Sequence, residues 1–63
     1  MKISQLRIGD TWIWNGHRRY IATTPTPVGS DAYAFDTHLG GKGGPVEHHR
    51  EAGDTQVQVE INR

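Results

Sequence analysis

The stretch DTWIWNGHRRYIATT, residues 10–24, decides the fold class of this chain. It holds two segments rich in aromatic and β-branched side chains. Between them lies Asn15-Gly16, the dipeptide most typical of a two-residue hairpin turn. The sequence therefore predicts two antiparallel strands, residues 10–14 and 18–24, joined by a tight turn.

The spacing of the two tryptophans determines which face of the first strand they share. Trp12 and Trp14 lie two residues apart, so both side chains project to one face and Ile13 projects to the other. This doubly aromatic face is either a binding surface or part of the core, because a chain with few large apolar residues also depends on aromatic burial. The sequence is compatible with both interpretations.

The register of the hairpin decides which residues of the second strand join the tryptophans. A turn of two or four residues places Arg19 and Ile21 beside them, whereas a three-residue turn places Arg18 and Tyr20 there. We favour the first register. The interior face is then predicted to consist of Ile13, Tyr20 and Ala22, and the surface face of Trp12, Trp14 and Arg19.

Two prolines interrupt the chain after the hairpin. Residues 25–31 are predicted to form a loop, since proline cannot donate to a sheet ladder and the glycine and aspartate that follow favour a turn. Residues 32–37 alternate large and small side chains. This pattern predicts a third strand with Tyr33 and Phe35 on one face.

The last third of the chain contains a glycine-rich run between two strand signals. Residues 40–44 hold four glycines around Lys42, a composition that predicts a mobile loop in the free protein. Residues 46–50 are predicted to form a short edge strand. The strict alternation of residues 55–61 predicts a closing strand that buries Val57, Val59 and Ile61.

Five short strands in a single domain, residues 1–63, predict an all-β fold, either a small barrel or a strongly curled antiparallel sheet. The segments Leu6-Arg7-Ile8-Gly9-Asp10, Trp14-Asn15-Gly16 and Arg19-Tyr20-Ile21 resemble small SH3-like barrel proteins of bacteria and phages. The resemblance covers about the first third of the chain and implies a five-stranded SH3-like barrel. It implies no particular activity, because such barrels bind peptides, nucleic acids or other subunits.

The size and composition of the chain limit its core and its partners. A domain of 63 residues buries only about 60% of its unfolded surface, so the core must be thin. Seven basic and seven acidic residues give zero net charge, so no global field draws the protein to nucleic acid or an anionic membrane. The candidate core side chains are Ile3, Leu6, Ile8, Trp12, Ile13, Trp14, Tyr20, Ile21, Val28, Tyr33, Phe35, Leu39, Val46, Val57, Val59 and Ile61.

Polar residues around the hairpin turn are the best binding candidates. His17, Arg18 and Arg19 place positive charge beside the tryptophans, where guanidinium groups are suited to phosphate or carboxylate. The alternative is a solvated turn. The candidate binding residues are Trp12, Trp14, His17, Arg18, Arg19 and Lys42.

Catalytic, metal and cofactor sites are not predicted. The chain has no cysteine and no nucleophile elbow, and its size argues against a pocket of about 300 Å³. His48 and His49 are metal-ligand residue types, but adjacent residues on a strand point to opposite faces. No apolar run approaches the about 20 residues of a spanning helix. We therefore expect a cytoplasmic, non-enzymatic protein, in a bacterium or a phage-infected cell.

Three functions are compatible with these features. The charge balance favours a module that docks on a protein partner through the Asn15-Gly16 hairpin and the glycine-rich loop. A second hypothesis is a nucleic-acid-binding barrel that uses the tryptophans and the basic residues, with strongly salt-dependent binding. A third is a homo-oligomeric assembly or ligand-sequestering protein, in which edge strands pair between copies.

Overall fold

A single antiparallel sheet makes up most of the structure, which is a computed structural model describing residues 1–60. The chain begins with a short 3₁₀ helix, Ile3–Gln5, and the described residues contain no α-helix. The six strands are β1 Thr11–Trp14, β2 His17–Ile21, β3 Thr26–Val28, β4 Ala32–Leu39, β5 Val46–Ala52 and β6 Gln58–Glu60. The prediction of an all-β fold is confirmed. No helix within residues 1–60 is long and apolar enough to cross a membrane.

The sheet is curled but open. One path runs in the order β3-β4-β2-β1-β6, and β5 pairs with β4. In the described part of the chain β5 and β6 do not pair with each other, so the curled sheet is confirmed and the closed barrel is wrong. The curl is strong enough to bring the ring of Trp12 on β1 within 5.1 Å, centroid to centroid, of the ring of His49 on β5.

The β1–β2 hairpin has the turn that its sequence predicts. Trp14 pairs with His17, which leaves Asn15 and Gly16 as a two-residue loop. Both loop residues have positive φ, 57° at Asn15 and 78° at Gly16, as a type I′ turn requires. Trp12 pairs with Arg19, so the favoured register is confirmed.

The hydrophobic core lies on the tryptophan side of the hairpin, contrary to prediction. Its buried members are Ile3, Leu6, Trp12, Ile21 and Phe35, with Tyr33, Val57 and Val59 packed against them. Ile13, Tyr20 and Ala22, the predicted interior residues, are only half-buried. Of the other candidate core residues, Ile8, Trp14 and Val46 are exposed, and Ile61 lies outside the described residues.

The amino-terminal segment is the reason for this reversal. The Ile3 N–H donates to the Thr55 carbonyl at 3.0 Å, and the Val57 N–H donates to the Met1 carbonyl at 2.7 Å. These bonds anchor Ile3 and its neighbour Leu6 where both side chains are buried with Trp12. The sheet face that the amino-terminal segment covers therefore forms the core.

Most strand boundaries differ from prediction. The second strand covers residues 17–21 rather than 18–24, and the closing strand covers residues 58–60 of the described chain rather than 55–61. Residues 26–28 form β3 rather than a loop, which raises the number of strands from five to six. Proline is tolerated there because β3 is the end strand of its path and, among the strands of residues 1–60, pairs with β4 alone. Strand β4 continues to Leu39 and β5 to Ala52, each two residues beyond the predicted end, and the edge position of β5 is confirmed.

Hydrogen bonds hold the base of the glycine-rich loop. The Leu39 N–H donates to the Pro45 carbonyl at 2.8 Å, and the Gly44 N–H donates to the Gly41 carbonyl at 2.9 Å. His38 Nδ1 lies 2.9 Å from the Gly44 carbonyl oxygen, to which it can donate. The mobility of residues 40–44 stays a prediction, which amide order parameters lower than those of the strands would support.

Gly44→Ala is expected to lower the free energy of unfolding by about 1–3 kcal/mol, the usual cost of overpacking. A Cβ at Gly44 would lie 1.8 Å from the carbonyl oxygen of Leu39, so the backbone must shift. Gly43→Ala is the matched control, since its Cβ would meet nothing within 4 Å. Urea unfolding of both variants checks this result. Equal stability would show that the loop does not hold the conformation described.

Candidate functional site

The two turns predicted to carry binding lie side by side at one end of the sheet. Strand β2 pairs with β4 so that Arg19 faces Leu39, and the Gly40 N–H donates to the Arg18 carbonyl at 2.7 Å. The hairpin turn and the glycine-rich loop therefore form one continuous area. We call it the hairpin-end surface, and it comprises residues 14–17 and 40–45.

Trp14 is the large hydrophobic side chain of this surface. It is 45% exposed, whereas Trp12 on the same strand face is only 2% exposed. The two indoles stack with centroids 5.2 Å apart and ring planes 12° from parallel. The exposed ring of Trp14 thus packs against the buried ring of Trp12.

Arg19 lies beside the two stacked indoles, with its guanidinium carbon 5.9 Å from the centroid of the Trp12 ring. Its side chain is 7% exposed, and its guanidinium carbon lies 4.9 Å from the centroid of the Trp14 ring. Nε donates to Oε1 of Glu47 at 2.9 Å, and Nη1 donates to the Trp14 carbonyl oxygen at 2.7 Å. The arginine therefore holds Trp14 in place rather than presenting its charge to solvent.

The six sequence-predicted binding residues fall into two groups. The prediction that Trp12 and Arg19 lie on the surface is wrong, because both lie on the covered face of the sheet and are buried there. The exposed members are Trp14, His17, Arg18 and Lys42. Arg18 forms an ion pair with Glu60 of β6 and faces away from Trp14, since alternate residues of a strand point to opposite sides.

His49 is a residue of this region that the sequence interpretation missed. Its ring packs against Trp12 and Phe35, at centroid distances of 5.1 and 5.3 Å. Its Nε2 lies 3.0 Å from Oγ1 of Thr37 and 3.7 Å from Oε1 of Glu47. The alternation of β5 was the available signal, because it places the side chains of Glu47 and His49 on one face.

The environment of His49 favours the neutral imidazole. Burial lowers the pKa of His49 from its ordinary value of 6.5, and Glu47 opposes this shift more strongly than any other charged group. The Arg19 guanidinium also lowers the pKa, while Glu51 and Asp36 raise it. A neutral ring suits a position between two aromatic side chains, because a charged ring would have to be desolvated there.

The stability of the protein is expected to fall as the pH drops below about 6.5. His49 has a lower pKa in the folded chain than in the unfolded chain, so the unfolded chain binds more protons between the two values. The stabilisation is fully present above the unfolded pKa and is lost as the pH falls toward the folded pKa. Urea midpoints from neutral to mildly acidic pH measure the slope, which should shrink in His49→Gln and persist in His17→Gln. An unchanged slope in His49→Gln would contradict this assignment.

A groove lies at the end of β4 that is opposite to the hairpin-end surface. It is an open groove of about 600 Å³ lined by Lys2, Ser4, Ser30, Asp31, Tyr33, Ala52, Gly53 and Asp54. The expectation that the chain is too small for a pocket of about 300 Å³ is therefore wrong. Apart from Tyr33 and Gly53, every lining residue is exposed, so the groove has no buried polar group to orient a ligand.

Neither metal-ligand geometry nor relatives identify the site. Within residues 1–60, no group of three or more histidine, aspartate or glutamate side chains is placed to hold a metal ion. Comparison with known proteins finds no family model, no curated protein and no solved structure that matches the chain.

Proposed function

We propose that the protein is a non-enzymatic binding module that docks on a protein partner through the hairpin-end surface. The observation that carries this proposal is the arrangement of Trp14, a 45% exposed indole stacked on the buried ring of Trp12. Tryptophan is among the residues that most often dominate binding energy at protein interfaces. An exposed tryptophan that is already fixed loses little side-chain entropy when a partner covers it.

The surroundings of Trp14 also suit a protein partner. The two turns provide exposed residues next to the indole, and the basic residues of the hairpin-end surface are His17 and Lys42. Such a surface combines one aromatic anchor with a polar rim, which is the common composition of protein interfaces. Lys42 lies in the glycine-rich loop, so its side chain can reach toward an acidic group of the partner.

Nucleic-acid binding receives less support from the same residues. Arg19 is buried against Glu47 and Arg18 is paired with Glu60, so both hairpin arginines already have carboxylate partners. Affinity for nucleic acid depends on cations that replace the counterions of phosphate. Releasing Arg19 would break a largely buried ion pair, whereas the exposed pair of Arg18 with Glu60 costs little to break, so Arg18 is the hairpin arginine that remains available to phosphate.

Trp14→Ala is expected to weaken binding of the protein partner about thirtyfold or more, which corresponds to a hot-spot loss of about 2 kcal/mol. The partner is first captured from extract of the source cells, with and without nuclease treatment, and is then purified for titration. Ile8→Ala is the matched control, because Ile8 is 52% exposed and lies outside the hairpin-end surface. Equal affinity of the two variants would contradict the role of Trp14. A partner that disappears on nuclease treatment would point to nucleic acid instead.

A further inference from the structure

Strand β5 leaves one of its two edges open. It pairs with β4 over its whole length of seven residues, from His38 facing Val46 to Ala32 facing Ala52. No other strand of residues 1–60 pairs with β5. The second edge therefore presents backbone donors and acceptors that a further strand could use.

The hydrogen-bonding pattern identifies the residues at the open edge. Opposed residues of an antiparallel pair alternate between those that exchange hydrogen bonds and those that do not. The Leu39 N–H donates to the Pro45 carbonyl, and at the other end of the ladder the Gly53 N–H donates to the Asp31 carbonyl. The odd-numbered residues of this strand therefore bond to β4. The even-numbered residues Val46, His48 and Arg50 point their backbone groups outward, whereas the carbonyl of Ala52 already accepts from the Thr55 N–H.

Two acidic side chains lie on one face of strand β5, next to its open edge. Glu47 and Glu51 lie four residues apart, about 13 Å along the strand, with His49 between them. Both glutamates are half-buried, so their carboxylates stay close to the strand. One carboxylate oxygen of Glu47 accepts a hydrogen bond from Arg19, and the Glu47 side chain is still 36% exposed. A neighbouring strand would therefore pass the carboxylate of Glu47, the imidazole ring of His49 and the carboxylate of Glu51 in turn.

We propose that the open edge of β5 accepts an extended peptide segment as an added antiparallel strand, with basic side chains four residues apart opposite Glu47 and Glu51. The side chain between the two basic residues would face His49, for which a small apolar residue is suited. The inference rests on the proposed function, because it names the kind of segment by which a protein partner engages the module. The main-chain hydrogen bonds would supply affinity and the two glutamates would supply selectivity.

A second copy of the chain fits this edge less well. When two β5 strands pair antiparallel over their full length, residue 49 faces its own copy and Glu47 faces the partner's Glu51. Two pairs of like charges then lie directly opposite each other, which is destabilising. On the face that carries Glu47 and Glu51, the charge pattern thus favours a basic segment over self-association.

The test uses two synthetic heptapeptides and amide chemical shifts of the full protein. The first peptide, TKTVTKT, carries lysines at its second and sixth positions and the second, TETVTET, carries glutamates there. We expect the lysine peptide to shift the amide signals of Val46, His48 and Arg50, with an effect that weakens as salt is added. The glutamate peptide should not bind. Shifts that depend on protein concentration without peptide would show a second copy at the edge and would overturn the proposal.

Two exposed-edge variants separate the backbone contribution from the charge contribution. Arg50→Pro removes an outward N–H that β4 does not use and should abolish binding of the lysine peptide while the fold is kept. Glu51→Lys should weaken binding about fivefold or more by reversing one charge. No shifts at millimolar lysine peptide, or equal binding of both peptides, would overturn the edge proposal. Either failure leaves the partner's dependence on Trp14 unaffected, so the two proposals can fail separately.

Discussion

Trp12→Ala is expected to lower the free energy of unfolding by about 3–5 kcal/mol and to leave the protein largely unfolded at room temperature. Trp12 is 2% exposed and is the largest fully buried side chain. Its ring contacts Trp14, Phe35 and His49, which come from three places in the curled sheet. A domain of this size has little stability to spare, so a cavity of this volume is expected to remove most of it.

The matched control for this prediction is Trp14→Ala, a change of the same residue type on the same strand face. Since Trp14 is 45% exposed, we expect it to cost about 1 kcal/mol, mainly from the lost ring stacking. Urea unfolding followed by circular dichroism measures both variants. Similar losses in the two variants would contradict the division of this face into a core half and a surface half.

Glu47→Ala is expected to lower the free energy of unfolding by about 2–3 kcal/mol. The substitution leaves the guanidinium of Arg19 buried against the indoles without the carboxylate that accepts from its Nε. The expected loss lies below the about 3–5 kcal/mol of fully buried ion pairs, because Glu47 is 36% exposed and water can approach the site. Equilibrium unfolding in urea gives the value.

Replacing both partners of this ion pair distinguishes the loss of an attraction from the burial of an unpaired charge. Arg19→Met combined with Glu47→Leu keeps apolar volume at both positions and removes both charges, so it should recover much of the lost stability. Glu51→Ala is the control on the same strand face. A Glu47→Ala variant as stable as Glu51→Ala would show that the ion pair does not hold Arg19 in place.

Local signals predicted the turn and the register of the hairpin, but not the end of its second strand or which of its faces is buried. Asn15 and Gly16 are the residues that adopt positive φ most readily, and this preference alone sets the turn, the two-residue loop and the pairing of Trp12 with Arg19. The shared face of Trp12 and Trp14 follows from the twofold repeat of a strand. Alternation also predicted that Val57 and Val59 pack toward the core, as they do.

Contacts between distant parts of the chain account for the predictions that were wrong. Each face of the hairpin carries both apolar and polar side chains, so the local pattern does not say which face is covered. The cover comes from Ile3, and the partner that makes burial of Arg19 possible is Glu47, 28 residues further along the chain. Residues 26–28 became a strand because β4 is long enough to pair with both β2 and β3 along one edge.

The division of the tryptophan face is tested most directly by iodide quenching of two single-tryptophan variants. In Trp14→Phe the remaining Trp12 should emit at short wavelength and resist quenching, because its ring is buried with Phe35. In Trp12→Phe the remaining Trp14 should emit at longer wavelength and be quenched readily, as expected for an exposed indole. Equal protection of the two tryptophans, or quenching of Trp12 alone, would contradict a binding surface centred on Trp14.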